Sequence, residues 1–282
     1  MIKSAPLVSV LMTAYNREKY ITEAIESVIA STYQNWELII VDDQSKDRTV
    51  EIAKKFEAID KRIKVYINER NLGDYPNRNK AAGYAQGKYL KYVDADDMIY
   101  PYGLEQLVFY MEQFPEAGYG LCSLDQDKDL IYPFQLTPYQ AYFRHYFEQQ
   151  LFHKAPLSSI IKKDAFESVG GFTGKRMLGD FEMWHILSQK YPVVLMPKGI
   201  AWYRTHDQQE MTLHKNDPLE PFKYLLLTLQ LLDNNHCPLN QYEKNLSIQK
   251  TNKMISKSII SSLVRKSLKK GLELKRHSGK NW

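Results

Sequence analysis

The sequence predicts an α/β protein with a mostly parallel sheet flanked by helices. Three features predict it: apolar runs of five to seven residues alternate with stretches of helical periodicity, polar turns separate the two, and acidic residues gather directly after two of the runs. In such a sheet those acidic positions are carboxyl ends of strands, where ligands bind.

Leu7 to Thr13 reads as the first strand, and Ile21, Ala24, Ile25, Val28 and Ile29 follow at the spacing of one helix face. Trp36 to Val41 is the second strand. The polar turn DDQSKDRT offers Ser45 or Asp47 as an N-cap, and Val50, Ala53 and Phe56 continue as a helical stripe. Ile63 to Ile67 is a third strand, NERNLGDYPN a loop, Arg78 to Gln86 a helix of small residues and Tyr89 to Val93 a fourth strand. Leu104, Leu107, Val108 and Met111 form another helical stripe before a strand around Tyr119 to Leu124. Tyr139, Tyr142, Phe143, Tyr146, Phe147 and Phe152 suit either a buried helix face or a surface for sugar rings, and core packing is the expectation.

The chain has 282 residues, 44% hydrophobic and 25% charged, enough to bury a sizeable core. Two cysteines without paired spacing, Cys122 and Cys237, point away from disulfides and thiolate zinc and towards a reducing, cytoplasmic location. The N-terminal apolar stretch is too short and polar for a secretory signal, and no run reaches the roughly 20 apolar residues of a membrane span. Charge is uneven: residues 250 to 282 hold ten Lys and Arg against the single acid Glu273, so this segment carries +9 of a chain whose net charge is +5.

In KYLKYVDADDMIYP, three carboxylates, Asp94, Asp96 and Asp97, crowd the end of a strand. A hard cation such as Mg²⁺ or Mn²⁺ makes such crowding stable, since it prefers oxygen ligands and completes its shell with phosphates and water. The plainer alternative is a solvated loop whose acids favour the next helix N-terminus. An EF-hand is excluded because Met98 and Ile99 stand where an oxygen ligand and Gly are needed. There is no G-x-x-x-x-G-K-[ST], and GYGLCS lacks the third glycine of a dinucleotide fingerprint.

The segments PLVSVLMTAYNREKYITEAIESVIASTYQNWELIIVDDQSKDRT, NLGDYPNRNKAAGYAQGKYLKYVDADD, GDFEMW and WYRTH together resemble the inverting family-2 glycosyltransferases of the GT-A fold, over roughly residues 5 to 210. The resemblance implies a catalytic domain over 1–215, with a nucleotide-binding part over 1–100 and an acceptor-side part over 101–215. A basic helical extension, 216–282, follows. It implies transfer of a monosaccharide from a nucleotide diphosphate sugar, UDP-linked, to a glycan or lipid-linked hydroxyl. Thr13, Ala14 and Tyr15 would wall the base pocket and Asp43 would accept from the base; Arg78 would pair with a phosphate or with an aspartate, and Asp94 would contact the ribose. Asp96 and Asp97 share the role of metal ligand, with His206 reaching the metal or the diphosphate. Asp180 matches the general base that deprotonates the acceptor hydroxyl. Relatives often carry Glu immediately before that base, whereas this chain has Gly179, leaving Glu182 as the nearby acid.

Two rivals are weighed against this reading. A sugar nucleotidyltransferase needs a Gly-rich phosphate loop that TAYNREKY does not supply, and a silent binding module is opposed by the intact Asp43, Asp96 and Asp180. In the extension, Ile255, Ile259, Leu263 and Leu268 make an apolar stripe flanked by Lys257, Arg265, Lys266, Lys269 and Lys270. It either lies on the anionic inner face of the membrane or packs on protein. Nucleic acid is disfavoured because no aromatic platform accompanies the charges.

Overall fold

The computed structural model describes residues 5–206, 219–265 and 275–276. The chain forms two compact units, one of residues 1–145 and 149–204 and the other of residues 146–148 and 205–282.

The first unit opens as repeated βα units: β1 (Val8–Ala14), α1 (Ile21–Ile29), β2 (Trp36–Asp42), α2 (Thr49–Ile59), β3 (Ile63–Ile67), α3 (Asp74–Tyr84) and β4 (Tyr89–Tyr92). Then come β5 (Met98–Ile99), α4 (Gly103–Glu112), β6 (Tyr119–Leu124), β7 (Phe134–Leu136), α5 (Pro138–Phe143), β8 (Ser159–Lys162), α6 (Lys163–Ser168), α7 (Gly179–Lys190), β9 (Val193–Pro197) and β10 (Ala201–Trp202). Eight strands form one sheet in the order β3-β2-β1-β4-β8-β6-β9-β7, and β5 pairs with β10 beside it.

The apolar periodicities explain the layers. Ile21, Ala24, Ile25 and Val28 of α1 and Leu104, Leu107, Val108 and Met111 of α4 are buried, and all join Val8, Val10, Leu38, Ile40 and Val194 of the sheet in one core. Of the aromatic run, Tyr142 and Phe152 are buried and Tyr139 is exposed, so packing accounts for the first two.

Two features differ from the sequence expectation. The α/β class and the mostly parallel sheet hold, with β3-β2-β1-β4 as one parallel block and β6-β9 as a further parallel pair, but β8 enters antiparallel between β4 and β6 and β7 pairs antiparallel with β9, making that half mixed. Strand direction is set by where the chain re-enters the sheet, which the four residues of β8 do not encode. Helix α3 begins at Asp74 rather than Arg78, because Pro76 sits in its first turn, where a missing N–H removes no helical bond.

In the second unit, α8 (Glu220–Asp233) and α9 (Gln241–Arg265) form a pair. Ile255 and Ile259 are buried in a cluster with Phe222, packed by Leu219, Leu225, Leu226 and Leu229. This half of the predicted stripe is therefore spent on protein packing and is not free to enter a bilayer. The side chains of Leu263, Arg265, Lys266, Leu268, Lys269 and Lys270 lie outside the described residues. Ile259→Ala is expected to destabilise the helix pair by about 2 kcal/mol or more, read as a fall in the melting temperature of full-length protein.

Candidate active site

The parallel block places the ends of β1, β2 and β4 side by side, at the point where strand order turns outward in both directions. The loops following β1 and β2 are laced by hydrogen bonds. Asn16 N–H donates to Ser45 Oγ at 2.8 Å, Arg17 N–H to Thr49 Oγ1 at 2.7 Å, Glu18 N–H to Asp47 Oδ2 at 3.0 Å and Lys46 N–H to Asn16 Oδ1 at 2.8 Å. Asn16 has φ +53, a left-handed conformation that its short amide tolerates. Asp42 receives Ser45 N–H at 2.9 Å, which makes it a turn former, and burial raises its pKa.

Asp43 is buried and turns its carboxylate to the loop before α3. Oδ1 accepts from Asn68 Nδ2 at 2.7 Å and Leu72 N–H at 2.8 Å, while Oδ2 accepts Gly73 N–H at 2.9 Å. A carboxylate oxygen can take two donors, and the Gly73 N–H supplies one of them at Oδ2. Asn68 also donates to Asn77 Oδ1 at 2.9 Å, and its own Oδ1 is buried without a partner, a local cost of about 1–3 kcal/mol beside this pocket. Thr13 and Ala14 close β1 next to these groups, and Tyr15 is half exposed, its ring available for stacking.

Each acid of the cluster after β4 has a cationic or backbone partner. Arg78, buried on α3, forks onto Asp94 with Nη1–Oδ1 2.7 Å and Nη2–Oδ2 2.9 Å, and its Nε reaches Asp74 at 2.8 Å. Thr13 Oγ1 donates to Asp94 at 3.3 Å. Of the two roles the resemblance allowed for Arg78, the structure shows pairing with the aspartates. Asp96 is bound by Arg17 Nε at 2.8 Å, and Asp97 accepts Arg204 N–H at 2.9 Å. Burial, then repulsion from Asp94 and Asp96, pushes the Asp97 carboxyl up to about 8.

Among the described residues no three His, Cys, Asp or Glu side chains converge into a protein-only metal cage. The donor chemistry nevertheless fits a cation completed by substrate: Asp96 and Asp97 are hard oxygen donors, and the Asp97 carboxyl is raised by burial and then by neighbouring negative charge that a divalent ion would offset.

Asp180 lies in the first turn of α7, half-buried, with Oδ1 accepting the Phe181 N–H at 2.7 Å. Burial pushes its carboxyl up to about 6, moderated by that bond and by Arg78. Glu182 is turned away from it and clamps the preceding loop through Lys175 Nζ at 2.6 Å and a hydrogen bond from Thr173 Oγ1. Asn79 holds the same loop to α3 by accepting Phe172 N–H at 2.9 Å and donating to Phe172 O at 2.8 Å.

Sequence reasoning missed Arg17, Arg204, Tyr75 and Tyr203. Arg204 donates its N–H to Asp97 and its Nε to Asp96 O at 2.9 Å, pairs with Glu23, and lies 5.1 Å from the Tyr20 and Trp202 rings. It is delivered by the antiparallel pairing of β10 with β5, which follows the acidic cluster directly. Tyr203 next to it has its pKa raised to about 12 by burial and by Asp97, Asp94, Asp96 and Asp180 together. The only signal for these residues was their position inside the YNRE, GDYPN and WYRTH segments. His206 falls in the second unit, two residues after Arg204.

A βα block, an acidic cluster at its carboxyl edge and a half-buried carboxylate at a helix start are features of nucleotide-sugar transferases. The chain matches glycosyl transferase family 2 over residues 9–170 and belongs to that family. It is 42% identical over 139 residues to a putative teichuronic acid biosynthesis glycosyltransferase of Bacillus subtilis, covering 47% of this chain and 55% of that protein. It is 41% identical over 105 residues to the Escherichia coli UDP-Glc:alpha-D-GlcNAc-diphosphoundecaprenol beta-1,3-glucosyltransferase, covering 37% of this chain and 41% of that one. The chain thus spans about half the length of these relatives or less. Among solved structures, S. aureus TarS 1–349 in complex with UDP-GlcNAc superposes with a TM-score of 0.72 at 20% identity, over 93% of this chain and 77% of that one. The Pyrobaculum calidifontis mannosyltransferase in complex with GDP-Man and Mn²⁺ gives 0.65 at 15% identity, over 98% and 81%. These likenesses establish the GT-A fold.

Proposed function

We propose that the protein transfers a monosaccharide from a UDP-linked donor to a hydroxyl acceptor on a glycan or lipid-linked glycan, with inversion at the anomeric carbon. The observation that carries this reading is the placement of Asp43 after β2 and of Asp94, Asp96 and Asp97 after β4, the two strands that flank β1, with Asp180 on a helix whose first turn meets α3. The UDP-GlcNAc complex of TarS and the name of the E. coli relative support a uridine donor, and the mannosyltransferase complex supports a divalent metal.

In this reading Thr13, Ala14 and Tyr15 wall the base pocket and Asp43 Oδ2 takes a base N–H. Asp94, locked by Arg78, faces the ribose. Asp96 and Asp97 would hold the Mn²⁺ or Mg²⁺. When bound, the cation offsets charge on the leaving diphosphate. Asp180 accepts the acceptor's proton as its hydroxyl attacks from the face opposite the diphosphate.

UDP is expected to bind much more tightly with Mn²⁺ than with a chelator, and Asp96→Ala should erase the difference; equal calorimetric affinities refute the metal assignment. Because Asp97 is held protonated up to about 8, metal binding must displace a proton there, so the Mn²⁺-dependent gain should grow from pH 6 to pH 8.

Among the described residues no helix is long and apolar enough to cross a membrane. With Ile255 and Ile259 packed on α8, the contact proposed here for the basic extension with an anionic surface is made through its charges. Replacing Arg265, Lys266, Lys269 and Lys270 by Gln should then abolish salt-sensitive co-sedimentation with anionic vesicles, as each basic residue contributes about 1 kcal/mol there. Unchanged sedimentation excludes the extension as a membrane contact.

A further inference from the structure

Gly179 stands where relatives often carry Glu, and its surroundings show why this chain needs glycine. A Cβ built at position 179 would lie 2.7 Å from Cζ and 2.8 Å from both Cε atoms of Tyr75. The start of α7 is therefore pressed against that ring. Tyr75 is in the first turn of α3, is 5% exposed, and packs on Phe172 with ring centroids 5.0 Å apart.

Helix α7 has no side-chain cap of its own. The first backbone N–H groups of a helix lack intrahelical partners, and here Asp180 N–H donates to the Tyr75 hydroxyl oxygen at 3.2 Å. A buried phenol also needs an acceptor for its proton, and the Asp180 carboxyl is close enough that Tyr75 lowers its proton affinity, an effect ranking after those of burial, the Phe181 N–H, Arg78 and Asp74. One side chain from α3 thus meets both the backbone and the carboxyl of the same residue on α7.

We propose that Tyr75 is the positioning residue of Asp180: its ring sets where α7 begins, its hydroxyl accepts the Asp180 N–H and so holds that residue in place, and Gly179 is required so that it can approach. The proposal rests on Asp180 being the general base. The other groups facing Asp180 are Asp74 and Arg78 on α3, Tyr203 after β10 and the Phe181 N–H on its own helix; Glu182 is engaged with Thr173 and Lys175. The Tyr75 hydrogen bond favours the carboxylate, opposing burial, so its loss must raise the pH at which the base becomes active.

The test is the pH dependence of kcat/KM for sugar transfer in the full-length protein, with melting temperatures measured alongside. Tyr75→Phe keeps the ring and removes the hydroxyl. Its acid limb should move upward by roughly half a pH unit or more, so the variant loses more activity at pH 6 than at pH 8. Gly179→Ala should lower kcat while leaving the donor KM unchanged, and in a Tyr75→Ala background it should cost nothing further. An unmoved limb in Tyr75→Phe, or additive losses in the Gly179 and Tyr75 pair, reduces Tyr75 to core packing and overturns the proposal. Asp180→Asn separates the two levels: full turnover there overturns the base reading and this inference with it, whereas an inactive Asp180→Asn with an unmoved Tyr75→Phe limb overturns this inference alone.

Discussion

Asp180→Asn should bind donor nearly as tightly as the unaltered protein and turn over about 10²-fold more slowly or worse, because a general base contributes on that order in the transition state. The substitution keeps the size and leaves an amide oxygen able to accept the Phe181 N–H, so the helix start is preserved. It removes only the capacity to take a proton. The unaltered enzyme should show activity rising with pH through about 6, since the carboxyl must be ionised to act and burial holds its pKa there. Transfer assays beside UDP calorimetry decide the matter: a comparable loss of UDP affinity would make Asp180 a donor contact, and an unchanged rate would place the base elsewhere.

Arg78→Met should be the most damaging substitution for stability. Arg78 is buried and answers Asp94 with two hydrogen bonds and Asp74 with a third, so its removal leaves a largely enclosed carboxylate without a counter-charge. Breaking a buried pair from one side costs about 3–5 kcal/mol. For a unit of this size the melting temperature should fall on the order of 10 °C. Arg78→Met/Asp94→Asn should recover part of the loss, because the Asp94 charge is then gone while Asp74 still lacks its partner. If the double variant is no more stable than the single one, Arg78 acts through packing on Tyr92, whose ring lies 5.6 Å from its guanidinium, rather than through charge.

The same pair explains why position alone could not assign the aspartates. In sequence Asp94, Asp96 and Asp97 are three equivalent carboxylates. In the structure Asp94 is neutralised by Arg78, Asp96 is met by Arg17, and Asp97 keeps a raised pKa because it is buried beside two like charges, which the single backbone donor from Arg204 only partly offsets. Partners separated by 16, 79 and 107 residues along the chain produce that difference.

The sequence by itself determined the βα rhythm, the faces of α1 and α4 that are buried, and the siting of both acidic clusters at strand ends. Each of these is a local matter, fixed by side-chain period and by turn residues within a dozen positions. Tertiary structure decided what depends on contacts between distant segments: the antiparallel entry of β8, the delivery of Arg204 to Asp97 through β10, and the burial of Ile255 and Ile259 against α8. It also decided the meaning of Gly179, which in sequence is a missing acid and in the fold is the space that Tyr75 occupies. Periodicity reports which face of an element is apolar, whereas proton affinity and ion pairing depend on which charges and dipoles the whole chain brings within a few ångströms, and that information is not local.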